Sequence, residues 1–268
     1  MSFYSDKVVV VTGGTNGIGR ALIGLLIEAG ARVATCGRQH DKLYALQMEY
    51  SQIPLHTMVC DVSSEEECKR FIHSTVETFG TIDILINNAG ISMRSLFDSA
   101  DTDVIRRLMD VNFMGSVYCT KAALPYIIER KGTLIGVSST AGYRGLPGRS
   151  GYSASKFALQ GWLESLRTEL SDLGVHVMWV SPGFTASNIR NAALNSQGHT
   201  QGESPVDESK LMSAETCAKY ILNAIEKRKR VLVLTFTGKL TVFLNKFFPS
   251  LTDKLIHRYY FKNGELIK

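Results

Sequence analysis

The stretch that most constrains this chain lies near its start. Val8-Val9-Val10-Val11 runs directly into Thr12-Gly13-Gly14-Thr15-Asn16-Gly17-Ile18-Gly19, and a helical segment, Arg20 to Ala29, follows at once. A β-branched run that is continuously apolar has no solvent face, so it belongs inside a parallel sheet covered by helices on both sides. A glycine-rich turn between such a strand and a helix points backbone N–H groups and the positive end of the helix dipole at one place. That place suits a pyrophosphate. The turn makes Gly13, Thr15, Asn16, Gly17, Ile18 and Gly19 candidate nucleotide contacts. Its spacing, Thr-Gly-x-x-x-Gly-x-Gly, differs from the Gly-x-Gly-x-x-Gly of the common dinucleotide fingerprint. Alone, it is also readable as a plain turn.

The pattern then repeats strand and helix down the chain. Further strands are expected at Arg32 to Gly37, Leu55 to Cys60, Ile82 to Ile86, Thr133 to Val137, Val175 to Ser181 and Val231 to Thr235. Seven strands alternating with helices predict an α/β, Rossmann-like, doubly wound parallel sheet with helices on both faces. A length of 268 residues fits one such domain. Charged residues make up 21% of the chain and hydrophobic ones 44%, ordinary for a globular protein. The net charge of +5 is mild, and no basic stripe interleaves with aromatics, which argues against a nucleic-acid partner. Lys227-Arg228-Lys229-Arg230 sits where a helix should end, where cations complement the dipole. The five cysteines are widely spaced with no Cys-x-x-Cys pair, which points to reduced thiols, a cytoplasmic setting and no metal site. With a strand expected from Lys7, no room is left for a signal peptide, and no run of eighteen apolar residues occurs.

Chemistry enters between Ser138 and Lys156. Ser139 ends an apolar strand, and thirteen residues later comes Tyr152-x-x-x-Lys156 in a segment of helical periodicity. Residues four apart share a helix face, so the ammonium can lie beside the phenol and favour its ionised form. Such a phenol can exchange a proton with a substrate oxygen, and Ser139 can hydrogen-bond that oxygen. A solvated tyrosine beside a solvated lysine is the plain alternative for this pair taken alone.

Combined with the glycine turn, the pair resembles the short-chain dehydrogenase/reductase family. The resemblance covers residues 5 to about 236. Asp61, with Val62 after it, follows the third strand, where the family holds the adenine. Asn87-Asn88-Ala89-Gly90 matches the family's Asn-Asn-Ala-Gly, and Asn112 its catalytic asparagine. Pro182-Gly183 follows the sixth strand, and Ser187 stands where a threonine often contacts the carboxamide. Singly, each has a structural reading: Asp61 as the N-cap of a helix over Ser63 to Phe79, Asn112 as a satisfier of backbone groups, the others as turns. Six such matches in the family's order outweigh those readings. The resemblance implies Tyr152 as general acid/base, Lys156 lowering its pKa and holding the nicotinamide ribose, Ser139 orienting the substrate oxygen, and Asn112 supporting a water relay to Lys156.

The second strand bears on the cofactor. An acid at its end would bind the ribose hydroxyls and repel a 2′-phosphate; this strand ends Cys36-Gly37-Arg38 instead. Arg38 can pair with a phosphate through its planar fork, which favours NADP(H). The family's second basic position, in the glycine turn, is Asn16.

The implied activity is interconversion of a ketone and a secondary alcohol. Met93, Leu96, Phe97, Tyr143, Leu146 and Phe184 point to a lipophilic ketone, steroid-like or a 3-keto-lipid of the ketosphinganine kind. A non-catalytic dinucleotide-sensing scaffold and an epimerase or dehydratase on the same scaffold are the competing functions. Residues 185–212 read as a substrate lid or a disordered loop. Beyond a catalytic domain of residues 1–238, the extension 239–268 carries six Lys/Arg, two acids and many aromatics. It is expected to pack on the domain or on a twofold mate in a homodimer or homotetramer, in preference to lying on a membrane surface.

Overall fold

A computed structural model describes residues 2–267. Seven parallel strands form one sheet in the order β3-β2-β1-β4-β5-β6-β7. They are β1 (Val8–Thr12), β2 (Arg32–Gly37), β3 (Leu55–Val59), β4 (Ile84–Asn87), β5 (Thr133–Val137), β6 (His176–Ser181) and β7 (Val231–Val233). The all-valine run behaves as its composition requires. Val9 and Val11 enter the core with α1 (Gly17–Glu28), while Val8 and Val10 enter the opposite one. Helix α7 (Ala214–Glu226) completes the first layer through Cys217, Ile221 and Ile225. Helices α3 (Glu65–Phe79), α5 (Gly115–Glu129) and α6 (Ser150–Glu169) form the second with Phe71, Ile72, Ile127, Leu159 and Leu163. Helix α2 (His40–Glu49) covers β2 and β3, and α4 (Thr102–Met109) runs into α5 through a π-turn at Asp110–Met114.

Strand order reverses between β1 and β4, and a cleft opens there at the carboxyl ends of the strands, as the topology dictates. Helix α3 starts later than expected because Ser64, not Asp61, is its N-cap: the Ser64 hydroxyl accepts from the N–H of Glu67. Five buried cysteines are unpaired. Among the described residues no helix is long and apolar enough to cross a membrane, and no His/Cys/Asp/Glu cluster could hold a metal.

Residues 185–212 are not a disordered loop. The buried Arg190 donates from Nε and Nη2 to Glu208 and from Nη2 to the carbonyl of Thr185. Bridges from Thr185 to Met212 and from Met93 to Leu194 tie the segment to the domain. The C-terminal part forms α8 (Phe236–Phe247), α9 (Pro249–Tyr260) and a short hairpin, β8 (Phe261–Lys262) with β9 (Glu265–Leu266). One side of it packs on the domain. Asn245 donates to the carbonyl of Tyr143, Arg144 pairs with Asp253, and Tyr260 is buried. On the other side Phe236, Phe243, Phe247, Phe248, Leu251 and Leu255 are exposed and do not pack on the domain.

Candidate active site

The cleft is a cavity of about 750 Å³. Its floor at one end is the glycine turn, and there the fit is made by missing side chains. A Cβ on Gly19 would lie 2.4 Å from the carbonyl oxygen of Gly13 and 2.5 Å from Asn88 Nδ2. Gly13 has φ +71°, and a Cβ there would lie 2.9 Å from Ala89 Cα. The turn is therefore bare main chain, held from behind. Asn88 donates from Nδ2 to the carbonyl of Thr12 at 2.9 Å, and Thr12 Oγ1 accepts from the N–H groups of Asn88 and Ala89. Bare N–H groups at the start of α1 suit a pyrophosphate.

Gly37, Arg38 and Thr15 meet where the turn faces the end of β2, and Lys42, one turn into α2, lines the same corner. Lys42 escaped the sequence reading because its only signal, a basic residue five positions past the strand, looks like solvated helix surface. Asp61 spends one carboxylate oxygen on Ser63, accepting from both its N–H and hydroxyl. Val62, Gly90, Pro182, Gly183 and Ser187 line the cavity with it, as do Asn16, Gly17 and Ile18.

At the other end Ser139, Tyr152 and Lys156 converge from the end of β5 and the first turns of α6. Burial pushes the Tyr152 phenol above its ordinary pKa; hydrogen bonding to Ser139 and the charges of Arg149 and Arg190 act the other way. Lys156, the cation expected to lower it, lies over the same ring. Its Nζ stands 5.8 Å from the ring centroid and donates to the carbonyl of Val137 at 2.9 Å. Burial lowers the Lys156 pKa to about 8. Ser138 and Gln160 support this cluster: Gln160 Nε2 donates to Ser138 Oγ at 2.8 Å and to the carbonyl of Ser139. Gln160, four residues past Lys156, carried a signal in that spacing, but a glutamine on a helix is uninformative by itself.

Asn112 is the one residue of the expected site that does not line the cavity. It is fully buried, with Oδ1 accepting from the N–H of Ile91 and Nδ2 donating to Ile91's carbonyl and Ser155 Oγ. Ser155 in turn donates to the carbonyl of Tyr152. Asn112 thus clamps the loop after β4 to α6. Of the six residues expected to define the substrate surface, only Leu146 and Phe184 line the cleft; Phe97 is exposed and Met93 lies beneath. Ile91, Ile189 and Tyr260 supply the apolar lining instead.

Residues 7–198 match the short chain dehydrogenase family model. The chain belongs to this family. It is 34% identical over 260 residues to dehydrogenase/reductase SDR family member 7B of Xenopus tropicalis, covering 93% of this chain and 84% of that one. It is 32% identical to the SDR family protein 7-like of Drosophila melanogaster, covering 91% and 78%. Among solved structures, a short-chain dehydrogenase from Streptomyces avermitilis superposes with a TM-score of 0.81 at 26% identity, covering 96% and 100%. One from Burkholderia phymatum, in complex with NAD, gives 0.81 at 21% identity, covering 94% and 96%, a likeness of fold. As a short-chain dehydrogenase, the protein is an oxidoreductase, and its glycine cradle fits a nicotinamide dinucleotide.

Proposed function

We propose that the protein is an NADP(H)-dependent reductase of a lipophilic ketone, producing a secondary alcohol. The observation that carries this reading is the convergence of Ser139, Tyr152 and Lys156 at one end of a cleft whose other end is the bare glycine cradle. When bound, the nicotinamide supplies the hydride. The Ser139 hydroxyl holds the carbonyl oxygen, and the Tyr152 phenol gives that oxygen its proton. A phenol pushed upward by burial is protonated at neutral pH, which suits donation and hence the reductive direction. Lys156, fixed by the carbonyl of Val137 in the wall of the cleft, would hold the cofactor's nicotinamide ribose; Asn112 and Ser155 position the first turn of α6.

The preference for NADP(H) rests on Arg38 and Lys42 lining one corner with Gly37 in place of an acid. Titrating the protein with NADPH and NADH tests it: tighter NADH binding overturns the assignment. Assay of cofactor oxidation against long-chain and polycyclic ketones tests the reaction. A sensing scaffold would bind NADPH and oxidise none.

A cytoplasmic homodimer or homotetramer completes the proposal. The exposed aromatic side of α8 and α9 is the surface a second copy would cover. Sedimentation supports this if it finds dimers. Flotation with anionic liposomes would instead assign that side to a membrane.

A further inference from the structure

The substrate end of the cleft holds a cation that no carboxylate pairs with among the described residues. Arg149 lines the cavity beside Tyr152, Leu146 and Tyr260. It is partly buried, and its Nε is shut off from solvent with no acceptor. Its one hydrogen bond, from Nη1 to Ser92 Oγ, is 3.5 Å long, and no carboxylate forms an ion pair with it among the described residues. Native structures rarely leave a buried guanidinium N–H unmatched, because the lost solvation goes uncompensated. The neighbouring Arg190 shows the usual solution, with Glu208 bound across its Nε and Nη2. The local field deepens the contrast. Arg149 is the N-cap residue of α6, whose first turn has no acid, so the helix dipole adds to its charge. Its charge reaches both hydroxyls at this end, those of Tyr152 and Tyr260.

We propose that Arg149 binds an anionic group of the substrate, a carboxylate or a phosphate, so that the ketone reduced here is an acidic amphiphile. This deepens the reductase reading above and rests on it. A planar guanidinium whose Nη groups make a single long hydrogen bond can turn them to the oxygens of either anion, with Nε behind them adding to the uncompensated charge. The apolar lining from Ile91, Leu146 and Ile189 takes the remainder of the molecule. Neutral steroid-like ketones and amine-bearing ketosphinganine-like lipids leave the guanidinium unmatched, and the latter would add a second cation beside it.

The experiment uses matched ketone pairs of equal chain length with NADPH: a keto acid against its methyl ester, and a keto-alkyl phosphate against its free alcohol. The wild-type protein should favour one or both anionic members by about tenfold or more in kcat/KM, mainly through KM. Arg149→Gln should reduce kcat/KM for that member at least about tenfold more than for its neutral partner, and Arg149→Lys should restore part of the difference. The pair that responds identifies carboxylate or phosphate. Equal handling of both members by the wild type, or an equal loss on both in Arg149→Gln, overturns the proposal while leaving the reductase reading intact. If no ketone is turned over, the reductase reading fails, and calorimetry with an alkyl phosphate and a fatty carboxylate on the NADPH complex decides the anion site. Binding weakened about tenfold in Arg149→Gln upholds it; no binding, or binding indifferent to Arg149, overturns it.

Discussion

The two ends of the cleft are built from different materials. The nucleotide end is main chain: Gly13 and Gly19 have no room for a Cβ, and Asn88 and Thr12 brace the bare turn from below. Its core elements are neighbours in sequence, β1, α1 and β2, and Arg38, Lys42 and Asp61 are among the charged side chains lining the cavity. The substrate end is side chain throughout, and its pieces come from far apart in the chain. Ser139 and Arg149 flank Tyr152, Ile189 comes from the segment over the cleft, and Tyr260 arrives from α9. A main-chain site can be specified by a short local motif, whereas a side-chain site exists only after distant segments have packed. The first end can therefore be common to many enzymes, and the second can change with each of them.

This division predicts that substitutions at one end leave the other unaffected. The largest effect is expected from Tyr152→Phe. Turnover should fall by about 10²-fold or more, the scale of a lost general acid, while NADPH affinity stays within roughly twofold. A variant with near-normal kcat would remove Tyr152 from its role. Next, Arg38→Asp should weaken NADPH by about tenfold or more through loss of a charge-assisted contact. NADH binding and the KM for ketone should hold. A parallel loss of NADH affinity, measured by fluorescence titration, would show that Arg38 serves the fold and not the 2′-phosphate.

Tyr260→Ala removes a buried ring from the substrate end. The ketone KM should rise by roughly tenfold, given the value of burying an aromatic face. An altered NADPH affinity in that variant would break the separation of the two ends. The smallest effect is with pH, where the ends meet at Lys156. Its folded pKa of about 8 lies below the ordinary 10.5, so the ammonium is present below pH 8 and lost above it. NADPH affinity should decline a few-fold between pH 7 and 9, and Lys156→Met should start lower and flatten that decline. For the cofactor-free fold the sign is opposite. Between pH 8 and 10.5 the unfolded chain holds more protons than the folded one, so this group makes stability rise with pH. Denaturant midpoints at pH 8 and 10, compared with Lys156→Met, check it.

Much of the architecture was legible before any coordinates. Val8 to Val11 require two covered faces, strand and helix alternate with short connections, and the sheet follows. The structure's strand ends differ from the expected ones by a residue or two, as at β3, β4, β6 and β7. Gly13 to Gly19, Ser139, Tyr152 and Lys156 were legible too, since their geometry depends on one strand, one turn and one helix face. Asn112 was legible as a satisfier of backbone groups, but its partners Ile91 and Ser155 were not, because they lie in other segments.

What the sequence determined by itself was thus everything governed by local periodicity and steric allowance: the sheet, the bare turn, and the Tyr152 to Lys156 spacing. Tertiary structure decided the electrostatics. Lys156 stands over the Tyr152 ring as the spacing implied, and packing adds the bond to Val137, the burial and the lowered pKa. Arg149, Arg190 and Lys42 carried no distinguishing signal in the sequence. Folding gave Arg190 a carboxylate, brought Lys42 to the cavity wall and left Arg149 in the cleft with no ion-paired carboxylate among the described residues. The reason is that a charge's effect depends on its solvent exposure and its neighbours in space, and neither is a property of the local chain.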